Sequence, residues 1–233
     1  MVRTQINKKR HLIALIFTLV AFLIGILLGN LITKERTELA EEISQQQRLE
    51  AESIQLQYLY ITSLLQSQNC PAIFKALEEN LNTLEKARVR LENFILQNKE
   101  EQYFLIKRDY TLAEIRYWLL LKQTEDVCPH DAATLLYFYS DEENCKDCPL
   151  QGLILTTIKE KLDNRILIFS IDTQNLQEES MVSILKESFN ITTLPTVIVN
   201  DDKVEGFSKI EEMYSIVCSQ YTEIPEECKK YLE

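Results

Sequence analysis

The apolar positions change rhythm three times along the 233-residue chain. From Leu12 to Ile32 they run together, 21 positions without a charge. A helix over that run is roughly 31 Å long, close to the hydrocarbon thickness of a bilayer, and predicts one transmembrane helix over 12–32. A cleaved leader has a shorter apolar stretch and a small-residue site after it. This run ends in Leu28-Gly29-Asn30-Leu31, so it reads as an uncleaved anchor. From Lys34 to about Asp126 the rhythm becomes three-and-four, in a stretch rich in Glu, Gln, Leu, Lys and Ala that holds Pro71 and no Gly. That pattern predicts a helical bundle over 34–128, with helices about 35–68, 72–98 and 101–126. The first stripe is weak at Leu39, Ile43 and Leu49 and stronger at Leu56, Leu59, Tyr60, Ser63 and Leu64. The second is near-heptad: Phe74, Leu77, Leu81, Leu84, Leu91, Ile95. The third steps through Tyr103, Ile106, Tyr110, Ala113, Tyr117 and Leu120. Trp118 beside it reads as core rather than as a cofactor contact.

Beyond Pro129 short apolar runs alternate with helical patterns. Thr134–Tyr139, Arg165–Ile171 and Thr196–Asn200 read as buried strands, the first two joined by a helix with Leu150, Leu153, Ile154, Thr157, Ile158 and Leu162 on one face. Such a strand–helix–strand order predicts a parallel βαβ unit. Asn175 and Glu178 read as a capping pair for a helix with Met181, Ile184, Leu185 and Phe189 inward. Residues 200–203 read as a turn, Val204–Phe207 as a returning strand, and Ser208 with Glu211 as the capping box of a last helix over 209–219.

Six polar residues, Gln97–Gln102, interrupt the apolar steps between the second and third helical patterns. One continuous helix over 72–126 would be about 80 Å long and would hold Cys70 and Cys128 far apart. A hairpin turning near Lys99, their midpoint, brings them together. The expectation is therefore three antiparallel helices clipped by Cys70–Cys128, a bond worth roughly 4 kcal/mol in the chain-entropy picture; two unrelated cysteines are the alternative. Cys218 and Cys228 similarly suggest a disulfide that holds the tail across Pro225.

Charge sets the orientation. The first eleven residues carry Arg3, Lys8, Lys9 and Arg10 and no acid, so tail 1–11 is expected in the cytoplasm and the remainder outside. Of 25 basic residues, those four leave 21 against 36 acids beyond the anchor, a net −15. This argues against nucleic acid as a partner. Gly25 and Gly29 have the spacing that lets two anchors pair as a homodimer, although Gly is also simply common in membrane helices.

The chemistry-bearing element is Cys145-Lys146-Asp147-Cys148, placed between a buried strand and a helix, with Leu194-Pro195-Thr196 about fifty residues on. In this order the 130–233 segment resembles the thioredoxin-like superfamily, the likeness covering about 133–220. The implied fold class is an α/β thioredoxin-like domain preceded by a single transmembrane helix and an antiparallel helical bundle or coiled-coil hairpin. The family's first strand and helix have no clear counterpart, and the third long helix is expected to fill part of that space. The resemblance implies a thiol–disulfide oxidoreductase acting on protein thiols and disulfides without a cofactor. Cys145 would attack, Cys148 resolve, and Leu194, Pro195 and Thr196 line a cis-proline loop that binds substrate backbone.

Only a thiolate attacks a disulfide. Cys145, read as the start of a helix, would have its charge stabilised by the helix N-terminus, with Cys148 one turn on. Asn144 stands where an aromatic residue is usual, Tyr137 where the family has a buried acid, and Asp141, Glu142, Glu143 and Asp147 crowd the motif with Lys146 the near cation. These neighbours predict a Cys145 thiol less acidified than in strong oxidants and a more reducing couple; a plain solvated loop is the alternative. Reduction, oxidation and isomerisation all remain open. A zinc site would need two further ligands, and Cys218 and Cys228 are poorly spaced for it. His130 is a weak candidate base or ligand, and Asn190-Ile191-Thr192 matches a glycosylation pattern close to the expected active loop. The competing function class is an envelope binding or scaffold module with a structural Cys145–Cys148 bond; a third reading makes the helices the point, as a spacer.

Overall fold

The computed structural model describes residues 8–95, 100–177 and 179–231, and within α1 and at the start of α3 not the side chains of 8–12, 14, 27–43, 47, 50 and 100–102. The chain divides into two compact units, 1–60 and 61–233. The first holds most of one helix, α1 (Lys8–Gln66). Described side chains between Ile13 and Ile26 are all exposed, Phe17 and Phe22 among them. Among the described residues no helix is long and apolar enough to cross a membrane. The side chains at 12, 14 and 27–32 of the expected span lie outside them, as do those of Leu39 and Ile43 and the turn near Lys99.

The second unit contains the last turns of α1, α2 (Cys70–Ile95), α3 (Glu100–Thr124), β1 (Ala133–Tyr139), α4 (Cys148–Leu162), β2 (Ile166–Asp172), α5 (Ser180–Ser188), β3 (Thr196–Val199), β4 (Asp202–Glu205) and α6 (Ile210–Cys218). Short 3-10 turns cover Asp163–Arg165 and Glu226–Tyr231. The four strands lie in the order β2-β1-β3-β4, with β1 and β2 parallel and the rest antiparallel. The parallel pair needs a crossover, which α4 supplies.

Both sheet faces are covered, which is why β1 is apolar at nearly every position. On one face Leu136, Phe138, Phe169 and Ile198 pack with Ile115, Trp118 and Leu121 of α3 and Val182 and Leu185 of α5. Ile61, Leu64, Ile73 and Leu77 join the same core, so the helices and this sheet face share one apolar interior. On the other face Leu135, Tyr137, Val197 and Val199 meet Leu155 and Ile158 of α4 and Met213 and Val217 of α6. Tyr117 meets Phe169, and Trp118 meets Phe189, edge to face at 6.0 Å. Trp118 is thus a core residue.

Helices α2 and α3 run antiparallel, as the Arg90–Asp109 ion pair at 2.8 Å requires for residues so spaced. Their buried faces differ from the expected stripes. In α2 the buried residues are Ile73, Leu77 and Ala87, while Phe74, Leu81 and Ile95 are exposed. At the end of α1, Ile61 and Leu64 are buried, while Leu56, Leu59 and Tyr60 are exposed. An apolar stripe wider than one helix face leaves the choice of buried edge to the partner surface.

Local chemistry moves several boundaries. Asn175 does not cap α5: its N–H and amide both serve the Asp172 carboxylate. Glu179 takes the capping role, accepting from Met181 N–H, and Glu178 lies outside the described residues. Ser208 lies ahead of the α6 cap, Lys209, and its hydroxyl pairs with Glu212 rather than Glu211. The hairpin between β3 and β4 is tighter than expected because Asn200 adopts φ 53°, a conformation Asn tolerates, so β4 starts at Asp202. The Asn200 side chain also accepts from Thr134 N–H at 2.8 Å, tying the turn to the start of β1.

Candidate functional site

Strand register gathers four loops at one end of the sheet. Tyr139, the last residue of β1, pairs with Asp172, the last of β2. Phe138 pairs with Thr196, the first residue of β3, and Thr196 with Glu205, the last of β4. Loops 140–147, 173–179, 193–195 and 206–209 therefore leave the sheet together. They contain Asn144, Cys145, Lys146 and Asp147 on one side and Leu194 and Pro195 on another.

Cys145 is bonded to Cys148, with Cα atoms 5.4 Å apart. The helix starts at Cys148, three residues later than expected, and Cys145 sits in the turn before it. Pro149 explains the difference. A helix starting at Cys145 would need residue 149 to donate to the Cys145 carbonyl, and proline has no N–H. That carbonyl instead accepts from Cys148 N–H at 3.2 Å, and the proline falls in the first helical turn. The dipole end of α4 thus adjoins both sulfurs, with Cys148 as its first residue.

The turn is held from upstream. Cys145 N–H donates to the Asp141 carbonyl at 2.9 Å, and the Asp141 carboxylate accepts from both Asn144 N–H and the Asn144 amide. At least this member of the acidic run builds the turn. Lys146 and Asp147 are exposed, and the Asp147 side chain makes no cap bond. Both cysteines are largely covered, Cys145 at 5% and Cys148 at 2% exposure.

Tyr137 packs beneath α4 and donates its hydroxyl to the Cys148 carbonyl at 2.5 Å. Burial pushes this hydroxyl well above its ordinary range, so it stays a protonated donor. Its ring stacks on Tyr139 at 5.4 Å, and the Tyr139 ring lies 5.7 Å from the Lys107 ammonium. Gln151, one turn beyond Cys148, accepts from Ser208 N–H and so connects α4 to loop 206–209. Pro195 and Thr196 are buried and Leu194 half-buried; the Leu194–Pro195 peptide is cis. The Pro195 carbonyl accepts from Gly206 N–H at 2.8 Å, with Gly206 at φ 77°, where glycine is free of a Cβ clash.

The sequence reading missed a set of charged groups on α3. β2 is an edge strand, and α3 lies along it. The Glu114 carboxylate accepts from Ser170 N–H of β2 and from the Tyr110 hydroxyl, both at 3.0 Å. A side chain thereby satisfies an edge N–H that a further strand would otherwise take. Glu114 was detectable as an acid four residues after Tyr110, beside an apolar stripe. Burial pushes its carboxyl up to about 8, and its second oxygen has no hydrogen-bond partner among the described residues. A raised carboxyl holds its proton longer in the folded than in the unfolded chain. Stability should therefore fall as pH rises from about 4.5 to about 8 and level off above. Glu114→Gln removes that titration, so denaturant melts at pH 5 and 9 should differ less for the variant than for the wild type. Parallel pH dependence would show that Glu114 is not the responsible group.

Nearer the loops, Lys107 pairs with Asp172, and Arg108 with Glu179 at 2.5 Å. Asp172 also accepts from Gln174 N–H and Asn175 N–H, so one carboxylate holds α3 and the start of loop 173–179. The remaining cysteines are joined as Cys70–Cys128 and Cys218–Cys228, with Cα separations of 5.6 and 5.4 Å. Among the described residues no cluster of His, Cys, Asp and Glu could hold a metal ion.

No protein-family model matches the chain, and no curated protein matches it. Similar solved structures include one described as a malarial protein, 18% identical, with 40% of this chain and 99% of that chain covered and a TM-score of 0.32. Chloroplastic thioredoxin z is 23% identical over 38% of this chain and 77% of its own, at 0.31. Thioredoxin-2 of the malaria parasite, a component of that parasite's protein secretion machinery, is 18% identical over 38% and 84%, at 0.32.

Proposed function

We propose that the chain is a membrane-anchored thiol–disulfide oxidoreductase facing outside the cytoplasm. The observation that carries this reading is the register that sets Cys145–Cys148, at the junction of buried β1 and α4, at the same sheet end as loop 193–195. In this reading Cys145 attacks and Cys148 resolves. Leu194, Pro195 and Thr196 present backbone to a protein substrate, and Asn144, Lys146 and Asp147 set the charge around the dithiol. Residues 12–32 cross the membrane with tail 1–11 inside, and two copies pair through Gly25 and Gly29. The described part of that run supports an apolar environment, because large apolar side chains such as Phe17 and Phe22 are exposed. The chemistry moves two electrons between sulfurs and needs no cofactor.

A second reading, a scaffold module with a structural disulfide, draws on the burial of both sulfurs. Insulin reduction by dithiothreitol, followed with wild type and Cys145→Ser, separates the two. Acceleration by wild type alone supports the oxidoreductase, whereas equal rates support the scaffold.

A further inference from the structure

The three disulfides are not equally covered. Cys218 and Cys228 are both fully buried, at 0% exposure. Cys128 is buried as well, but its partner Cys70 is only half-buried. Cys70 is also the first residue of the 26-residue α2, followed by Pro71 and capped by Asn69, whose side chain accepts from Ala72 N–H. One half-buried cysteine at a helix start, bonded to one fully buried cysteine, is the asymmetry that lets an outside thiol enter a disulfide from one side.

We propose that Cys70–Cys128 is a second exchange-competent disulfide, opened by an external dithiol that enters at Cys70. The dithiol's thiolate attacks the Cys70 sulfur, the Cys70–Cys128 bond breaks, and Cys128 leaves as the thiolate. The second thiol of the reductant then attacks the mixed disulfide and expels Cys70. The positive end of the α2 dipole stabilises that departing charge. Two electrons pass from the dithiol, which becomes a disulfide, and its two protons end on Cys70 and Cys128. Two residues past Cys128, neither ring nitrogen of His130 has a hydrogen-bond partner among the described residues.

The reductant must be another molecule. Cys128 precedes β1 and Cys145 follows it, and a strand of seven residues spans roughly 23 Å. Sulfur exchange needs contact, so the two pairs of one chain do not reach each other. The fold survives opening, since Ile61, Leu64, Ile73 and Leu77 keep α1 and α2 in the common core. This inference does not depend on activity at Cys145–Cys148.

The test uses the full chain with Cys145→Ser and Cys148→Ser, treated with dithiothreitol under native conditions, alkylated at intervals and mapped by peptide mass. Cys70 and Cys128 should become labelled together, roughly tenfold or more faster than Cys218 and Cys228, in keeping with access-controlled exchange. Glutathione in place of dithiothreitol should leave its adduct on Cys70. The same time course on wild type reads each pair from its own peptides, so misfolding of the variant does not obscure the outcome. The proposal is overturned if Cys70–Cys128 opens only in step with Cys218–Cys228, stays closed in the folded chain, or takes glutathione on Cys128.

Discussion

An Asp172→Ala chain is expected to lose about 3–5 kcal/mol of stability and to melt roughly 6–20 °C lower than wild type. Asp172 is 1% exposed and pairs with a Lys107 that is itself largely covered. Burial opposes the charge on both, yet each group sits in its charged direction. Lys107 lies above the ordinary lysine range through its neighbours Tyr139 and Asp172, and Asp172 lies below the ordinary carboxylate range through Lys107 and Asn175. Removing the carboxylate strands a buried ammonium and leaves Gln174 and Asn175 N–H without their acceptor. Lys107→Met should cost a similar amount, and removing both partners should cost clearly less than the sum of the single changes. The pH sign is fixed by the depressed carboxyl: the stabilisation is present above the ordinary carboxylate range and is lost as pH falls through the folded value. Thermal melts of the three variants check this. Single-variant losses below about 1 kcal/mol, the level of an exposed pair, would contradict it.

Cys145→Ser should take disulfide exchange at the dithiol down to the uncatalysed background. A serine hydroxyl stays protonated at neutral pH and forms no bond with Cys148, so neither the attacking thiolate nor the oxidised pair exists. Cys148→Ala has a different effect, because attack survives and resolution is lost. Multiple turnover should then stop while a single covalent adduct accumulates. A protein in which Cys145–Cys148 is only a brace would lose stability in both variants and show no such division.

The strand–helix–strand order was legible because β1 and β2 are short apolar runs on either side of a helical stretch and both of their faces are buried. The hairpin of α2 and α3 could be inferred from the equal distances of Cys70 and Cys128 from Lys99. The start of α4 was not legible from the CxxC alone. Pro149 contained the information, since it cannot donate to the Cys145 carbonyl. Faces were misjudged where the stripe was wide, as with Phe74 beside Ile73, because only the packed surface decides which edge turns inward. The buried charges were hardest to read. Lys107, Glu114 and Asp172 belong to residue types that usually face water, and their partners lie 56 to 65 positions away. Only the fold brings α3 against β2.

The most direct test of the redox role is trapping with a reduced Cys148→Ala chain, presented with oxidised insulin and mapped by peptide mass after quenching. The expected result is a dithiothreitol-releasable mixed disulfide on Cys145 that disappears when Cys145→Ser is added to the variant. Absence of an adduct on Cys145, with insulin captured equally by both chains, would contradict the assignment of Cys145 as the attacking thiol.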